Sequence, residues 1–212
     1  MSDPAYRKDL VVLTEGKNDQ KAIQGLLTQR RALGIRSVSA DFHVHPERAS
    51  GIWHQAHDFL RPFHRTHAHA LVLMDKEGGG AVVEQQNRAQ LETALEQRLF
   101  ANGWRDRAVA VVVDPELEAW VWSRSPAVEA ALGWTGRQPT LWQWATQDGH
   151  LQHGQTKPPR PKETMESALS QVHKPRSSVI YQQLGETVDF ASCTDPAFLK
   201  LRQTLSTWFP AH

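Results

Sequence analysis

Three short acidic segments carry the chemistry this sequence offers: Glu15-Gly16, Asp75-Lys76-Glu77 ahead of three glycines, and Asp114-Pro115-Glu116-Leu117-Glu118. If they meet, their carboxylates repel one another unless a cation sits among them. An all-oxygen donor set suits a hard dication, Mg²⁺ or Mn²⁺ in its place, and such an ion attracts phosphate. Each segment also has a purely structural reading. Asp114 before Pro115 is better explained as the cap of a helix starting near Pro115 than as a ligand. Glu15 resists that account, because glutamate is a poor turn former and the glycine after it lets the backbone approach a ligand. Asp75 and Glu77 lie two apart, so in extended backbone both face one side and can address one ion. Gly78, Gly79 and Gly80 either admit a phosphate or serve as a flexible connection.

The segments can meet only if the elements before them lie side by side. Asp9 to Thr14 is a near-continuous apolar, β-branched run, the pattern of a strand buried on both faces. Lys17 to Arg31 then carries apolar residues at 22, 23, 26 and 27, one face of a helix. Ser37 to Val44 reads as a second extended stretch, Ile52 to Phe63 as a helix, and Ala68 to Met74 as a strand ending at Asp75. Val83 to Phe100 reads as a helix with Leu91, Leu95 and Leu99 in register, and Ala108 to Val113 as a further buried strand. Strands alternating with helices imply parallel pairing through right-handed crossovers: an α/β chain with an open, mostly parallel sheet flanked by helices. In such sheets ligands gather beyond the carboxyl ends of the strands, where all three acidic segments fall.

After Pro115 no segment has a convincing buried-strand run. Glu116 to Ser123, Ala127 to Leu132, Glu163 to Val172, Ser177 to Gly185 and Asp195 to Phe209 read as helices, the last capped by Asp195 with Pro196 at its first position. Gln152 to Lys162, rich in Pro, Gly, Gln and Lys, reads as an exposed loop and a candidate lid. The expected organisation is an α/β core over residues 1–122 and a mainly helical C-terminal extension over 123–212 packed on it.

Composition narrows the function classes. Hydrophobic residues make up 40% of the 212 and charged residues 22%, ordinary for a globular chain. Ala108 to Val113, the longest apolar stretch, is far too short to span a bilayer, and the polar start resembles no signal peptide, so a cytoplasmic protein without membrane contact is expected. The single Cys193 fits a reducing compartment. A net charge of +1 gives no bulk attraction for nucleic acid, so any such contact is local. Lys157, Arg160, Lys162, Lys174 and Arg176 are the densest basic neighbourhood, able to hold a polynucleotide backbone or to form a solvated loop. Seven of the eleven histidines, His43, His45, His54, His57, His64, His67 and His69, fall within 27 residues; a zinc site is one reading, surface or core-edge packing the better one. Trp120, Trp122, Trp134, Trp142 and Trp144 read as packing residues before base-stacking ones.

The acidic segments also resemble known motifs. Leu10-Val11-Val12-Leu13-Thr14-Glu15-Gly16-Lys17-Asn18-Asp19 is similar to the first motif of Toprim domains, and Leu71-Val72-Leu73-Met74-Asp75-Lys76-Glu77 sits where their second acidic motif would follow a later strand. More narrowly, Val111-Val112-Val113-Asp114-Pro115-Glu116-Leu117-Glu118-Ala119-Trp120, His173-Lys174 and the closing helix with Phe198 resemble an uncharacterised bacterial Toprim-like family encoded beside ATPases of the structural-maintenance or ABC type in anti-phage loci. The resemblance implies a Toprim-like sheet and a Mg²⁺-dependent (or Mn²⁺-dependent) nuclease or nicking effector acting on nucleic acid, DNA before RNA, with an ATPase partner. It implies Glu15 as general acid or base and metal ligand, Asp75 and Glu77 as metal-binding acids, Glu118 in the same cleft, and Lys17 beside them on the nucleic acid. Glu77 stands where many Toprim domains have aspartate. Tyr6 and Tyr181 lie outside these motifs, which disfavours a tyrosine nucleophile and strand transfer. Two rivals remain: a non-catalytic adaptor on the same scaffold, binding the ATPase or a phage component, and a zinc hydrolase built on the histidines.

Overall fold

Strands that are apolar at every position must be covered on both faces. The computed structural model, which describes residues 6–152, 154–191 and 193–211, has this arrangement. Strands β1 (Lys8–Thr14), β2 (Ala40–Val44), β3 (His67–Asp75) and β4 (Ala108–Val113) form one sheet in the order β2-β1-β3-β4, all neighbours parallel. The expected α/β class and open parallel sheet flanked by helices are what the chain adopts. Alternate residues divide between two apolar clusters: Leu10, Val12, Leu71, Leu73, Val111 and Val113 on one face, Val11, Leu13, Val72, Met74, Ala110 and Val112 on the other.

Helices α3 (Arg48–Leu60) and α5 (Arg88–Leu99) cover the second face. The first is covered by α1 (Lys17–Leu26), the short α2 (Arg30–Leu33) and the chain beyond β4. That chain forms α6 (Glu118–Val121), α7 (Pro126–Leu132), α8 (Leu141–Gln147), α9 (Pro161–Gln171), α10 (Ser178–Thr187) and α11 (Pro196–Trp208). Residues beyond 122 therefore supply a layer of the core: Leu132, Leu141, Met165, Leu184 and Leu205 share one cluster with Leu10 and Leu73. Helix α10 seats on α1 at its closest approach through Gly25 and Gly185; a Cβ on Gly185 would stand 2.3 Å from the Ala22 carbonyl oxygen.

Several boundaries differ from the sequence reading. The helix expected to Arg31 ends at Leu26, where Thr28 Oγ1 donates to the Gly25 carbonyl at 2.7 Å, and α2 closes on Gly34 at φ 70°. The single helix expected over 83–100 is two, α4 (Ala81–Glu84) and α5, because Asn87 and Gln90 make a reciprocal capping box that starts a new helix. The helix expected from Glu116 shrinks to Glu118–Val121, and α8, opened by the Thr140–Gln143 capping box, was not expected. The outer edge of β4 is sealed by side chains: Glu96 and Glu92 accept the Ala110 and Val112 peptide N–H groups at 3.1 Å each, and Lys200 Nζ donates to the Ala110 carbonyl at 2.9 Å. Among the described residues no helix is long and apolar enough to cross a membrane.

Candidate functional site

The order β2-β1-β3 sets the carboxyl ends of three strands side by side, with β3 next to the β4 end. Leu13 pairs with Val72 and Asp75 with Val113, so Glu15 emerges beside the end of β3, and Asp75 lies at the mouth of the sheet. A cleft of about 520 Å³ opens there, lined by Glu15, Asp19, Asp75 and Glu118 together with Lys17, His45, Arg48, Lys162 and Arg176. A larger hollow of about 890 Å³, bounded by Thr28–Arg31 and Arg36, is lined by no carboxylate among the described residues and lies away from the strand ends.

Burial and mutual repulsion dominate the electrostatics of the cleft. Burial, reinforced by the Asp19 charge, raises the Glu15 pKa to about 8 against the partial relief of the Asp75 peptide N–H. Burial and then the Glu118 charge raise Asp19 to about 6. Asp75, 6% exposed, is pushed well up by burial and by Asp19, Glu15 and Glu118 in turn. The Glu15 Oε2 atom is buried without a hydrogen-bond partner. Asp75 Oδ1 accepts the Leu117 peptide N–H at 2.9 Å and so starts the turn into α6, the role the sequence reading gave to Asp114. Asp114 is exposed and pairs with Lys76 at 3.0 Å. Glu116 is buried and does not line the cleft; it takes the peptide N–H of Lys162, a residue that does, at 2.8 Å.

Glu118 is the acid with partners. Tyr181 donates to its Oε1 at 2.5 Å and Arg176 Nη2 at 3.0 Å, while Arg176 also pairs with Glu166. Burial and the Glu118 charge push the Tyr181 phenol far up, so it is a fixed donor. Burial lowers the His45 pKa.

Of the acids expected from sequence, Glu15, Asp75 and Glu118 share the cleft, and Glu77 does not line it. Glu77 is exposed: β3 ends at Asp75, and the bonds of the Lys76 and Glu77 peptide N–H groups to the Val113 and Pro115 carbonyls turn the chain, so the extended spacing that would align both acids is absent. Asp19 takes the fourth place. Its signal in the sequence was the four-residue step from Glu15 into a helix, with Gly16 between; a Cβ on Gly16 would stand 2.8 Å from Asp19 Oδ2. Among the expected cations, Lys17, Lys162 and Arg176 line the cleft. Lys157 and Lys174 instead donate to the Ala119 and Ala131 carbonyls, at 2.6 and 2.7 Å, and Arg160 pairs with Glu163 in solvent. The segment expected as a lid is thus tied down at Lys157 and, through the Lys162 peptide N–H, at Glu116. The histidines serve largely in aromatic packing, His43 lying 4.8 Å from the Phe63 ring centroid and His69 stacked 4.3 Å from Trp208. Four of the five tryptophans noted above are buried.

The donor chemistry fits a hard dication: oxygens only, with the unpartnered Glu15 Oε2 available. Among the described residues no group of three or more acidic, histidine or cysteine side chains is placed to hold a metal ion, so an ion here would be held by one or two carboxylates with water completing its shell, as many Mg²⁺ sites are. Searches with the chain matched no family model, no curated protein and no solved structure.

Proposed function

We propose that the chain is a divalent-metal-dependent hydrolase of nucleic-acid phosphodiesters, DNA before RNA, with Glu15, Asp75 and Asp19 as its reactive acids. The observation that supports it most is the buried, unpartnered Glu15 Oε2 in a cleft where Glu15, Asp19 and Asp75 are raised by burial and by neighbouring carboxylates. A bound Mg²⁺ supplies charge at the phosphoryl oxygens and a more acidic water. The chain's own residues do the rest. Glu15, with a pKa of about 8, exchanges its proton near neutral pH and suits a general base or acid. Lys17 and Lys162 face the same space and offset the charge of a phosphate strand. Glu118, held by Tyr181 and Arg176, is a wall residue that keeps Arg176 in place.

Supercoiled plasmid and single-stranded oligonucleotides incubated with Mg²⁺ or Mn²⁺ provide the test. Cleavage by the wild type that disappears in Glu15→Gln and in Asp75→Asn, both still folded, is the expected result. Cleavage that persists in both variants rejects these acids. No cleavage by wild type under any of these ions favours the adaptor.

A further inference from the structure

The acids are one wall of the cleft; the corner after β2, running from His45 to Arg48, is another. His45 begins there, its peptide N–H bonded to the Thr14 carbonyl at 2.9 Å, so the corner is anchored to the end of β1 one residue before Glu15. The imidazole is 2% exposed. Its Nδ1 lies 3.2 Å from the Glu47 peptide nitrogen. A peptide N–H only donates, so Nδ1 carries the lone pair and the ring proton sits on Nε2. The ring is held in this orientation: a Cβ on Gly51 of α3 would stand 2.0 Å from Nδ1 and 2.2 Å from Cε1, and the Phe59 ring centroid lies 5.3 Å away. Nδ1 and Cε1 thus belong to the helix side, and Nε2–H, the one remaining polar group of a side chain that lines the cleft, makes no hydrogen bond to any described residue.

Arg48 closes the corner. It is exposed, lines the cleft and pairs with no carboxylate among the described residues. Its backbone sits at φ 52°, a conformation that costs a non-glycine residue free energy and that persists where the surroundings impose it. Lys17 reaches the same space from α1.

We propose that this corner is a phosphate subsite, in which His45 Nε2–H is a fixed neutral donor to a phosphodiester oxygen and Arg48 and Lys17 supply the positive charge. The proposal rests on the nucleic-acid reading only for the identity of the ligand. It assigns His45 a binding role, and the acids keep the chemistry.

The test reads binding without cleavage, in EDTA and again with Ca²⁺ in place of Mg²⁺, using the full chain labelled with ¹⁵N at histidine. Probes are a thymidine tetranucleotide and, separately, inorganic phosphate. Long-range ¹H–¹⁵N spectra should show His45 as the Nε2–H tautomer, and the tetranucleotide should move its Nε2 signal. His45→Asn keeps an acceptor for the Glu47 N–H and leaves no donor at the Nε2 position, its own amide N–H groups lying nearer the backbone; it should bind the tetranucleotide about tenfold more weakly, the usual scale for losing one hydrogen bond to a charged group. Arg48→Gly, whose backbone accepts the positive φ, should weaken it at least as much, with both variants melting as wild type does. An Nδ1–H tautomer, unchanged affinity in both variants, a response to inorganic phosphate but not to the tetranucleotide, or no binding in either buffer overturns the proposal. Loss of the corner with plasmid cleavage intact leaves the acids standing, and tetranucleotide binding without cleavage leaves the corner standing.

Discussion

Glu15→Gln offers the most direct test of crowding among the acids, because it acts on stability with opposite sign to its effect on activity. Glu15 titrates at about 8 in the fold against an ordinary 4.5. Below pH 4.5 the carboxyl is protonated folded or unfolded and contributes nothing. Between pH 4.5 and 8 the unfolded chain releases the proton that the folded chain retains, so stability falls as pH rises. With about 1.36 kcal/mol per pH step, the loss is about 3 kcal/mol at pH 7 and approaches about 5 kcal/mol above pH 8, shared with Asp19. Glutamine carries no such charge. Glu15→Gln should therefore melt with wild type at pH 4.5 and on the order of 10 °C above it at pH 8.5, since about 1 kcal/mol moves the midpoint of a domain this size by roughly 2 to 4 °C. Mg²⁺ at about a hundred times its dissociation constant should return about 2.7 kcal/mol to the wild type at pH 8.5 and much less to the variant. Scanning calorimetry across this pH range, with and without Mg²⁺, reads both. Superimposable wild-type and variant midpoints at pH 8.5 would mean that Glu15 is solvated and uncrowded, and the argument for a shared ion would fall.

Three further substitutions probe the scaffold that holds these acids. Gly185→Ala should destabilise by about 2 kcal/mol in urea titrations, although alanine is the better helix former, because its Cβ would meet the Ala22 carbonyl of α1 at 2.3 Å; a stabilised variant would show that α1 and α10 are not in close contact. Tyr181→Phe removes the 2.5 Å donor from Glu118 and should cost about 1 to 3 kcal/mol in the same titration, with no loss expected if Arg176 alone satisfies that carboxylate. Lys200→Met takes one cation from Glu92, Glu96 and the Ala110 carbonyl together and should cost about 2 kcal/mol, with faster hydrogen exchange at Ala110 and Val112; unchanged exchange would refute the sealing of the β4 edge.

The features of the site that were legible in the sequence were those fixed by strand ends. A buried parallel strand shows as an apolar run, and the residue where the run stops marks the rim where ligands bind, which is why Glu15 and Asp75 could be found from the pattern alone. Features that depend on how the chain turns after the rim were not legible. Glu77 has the right spacing from Asp75 only in extended backbone, and two hydrogen bonds from the Lys76 and Glu77 peptide N–H groups to the Val113 and Pro115 carbonyls end that extension. Asp19 enters from the first turn of α1, a place where an acidic residue ordinarily reads as a response to the helix dipole. Lys157 and Lys174 read as a basic surface because sequence does not reveal that a peptide carbonyl waits for each ammonium. Helix α8 contributes only Leu141, Trp144 and Ala145 to the core, too few positions to establish a period.

The unequal treatment of the buried acids bears on whether the cleft is reactive or only structural. Glu118 has a phenol and a guanidinium, Glu116 a peptide N–H with Lys162 beyond it, and Glu92 a peptide N–H, an ammonium and a guanidinium at the outer edge of β4. A fold that can supply partners for these carboxyls has left Glu15 Oε2 buried with none, next to Asp75 and Asp19. An adaptor that kept acids for solubility would hold them in water, and one that kept them for structure would satisfy them as it does Glu118, because an unsatisfied buried carboxyl destabilises the chain. Among the described carboxyls the deficit is confined to the mouth of the parallel sheet, the other unpartnered buried atoms belonging to His43, His57, His69 and Ser123. There it is removed when a ligand with the opposite charge arrives, and that coupling between occupancy and stability is the property by which the reactive reading is to be judged.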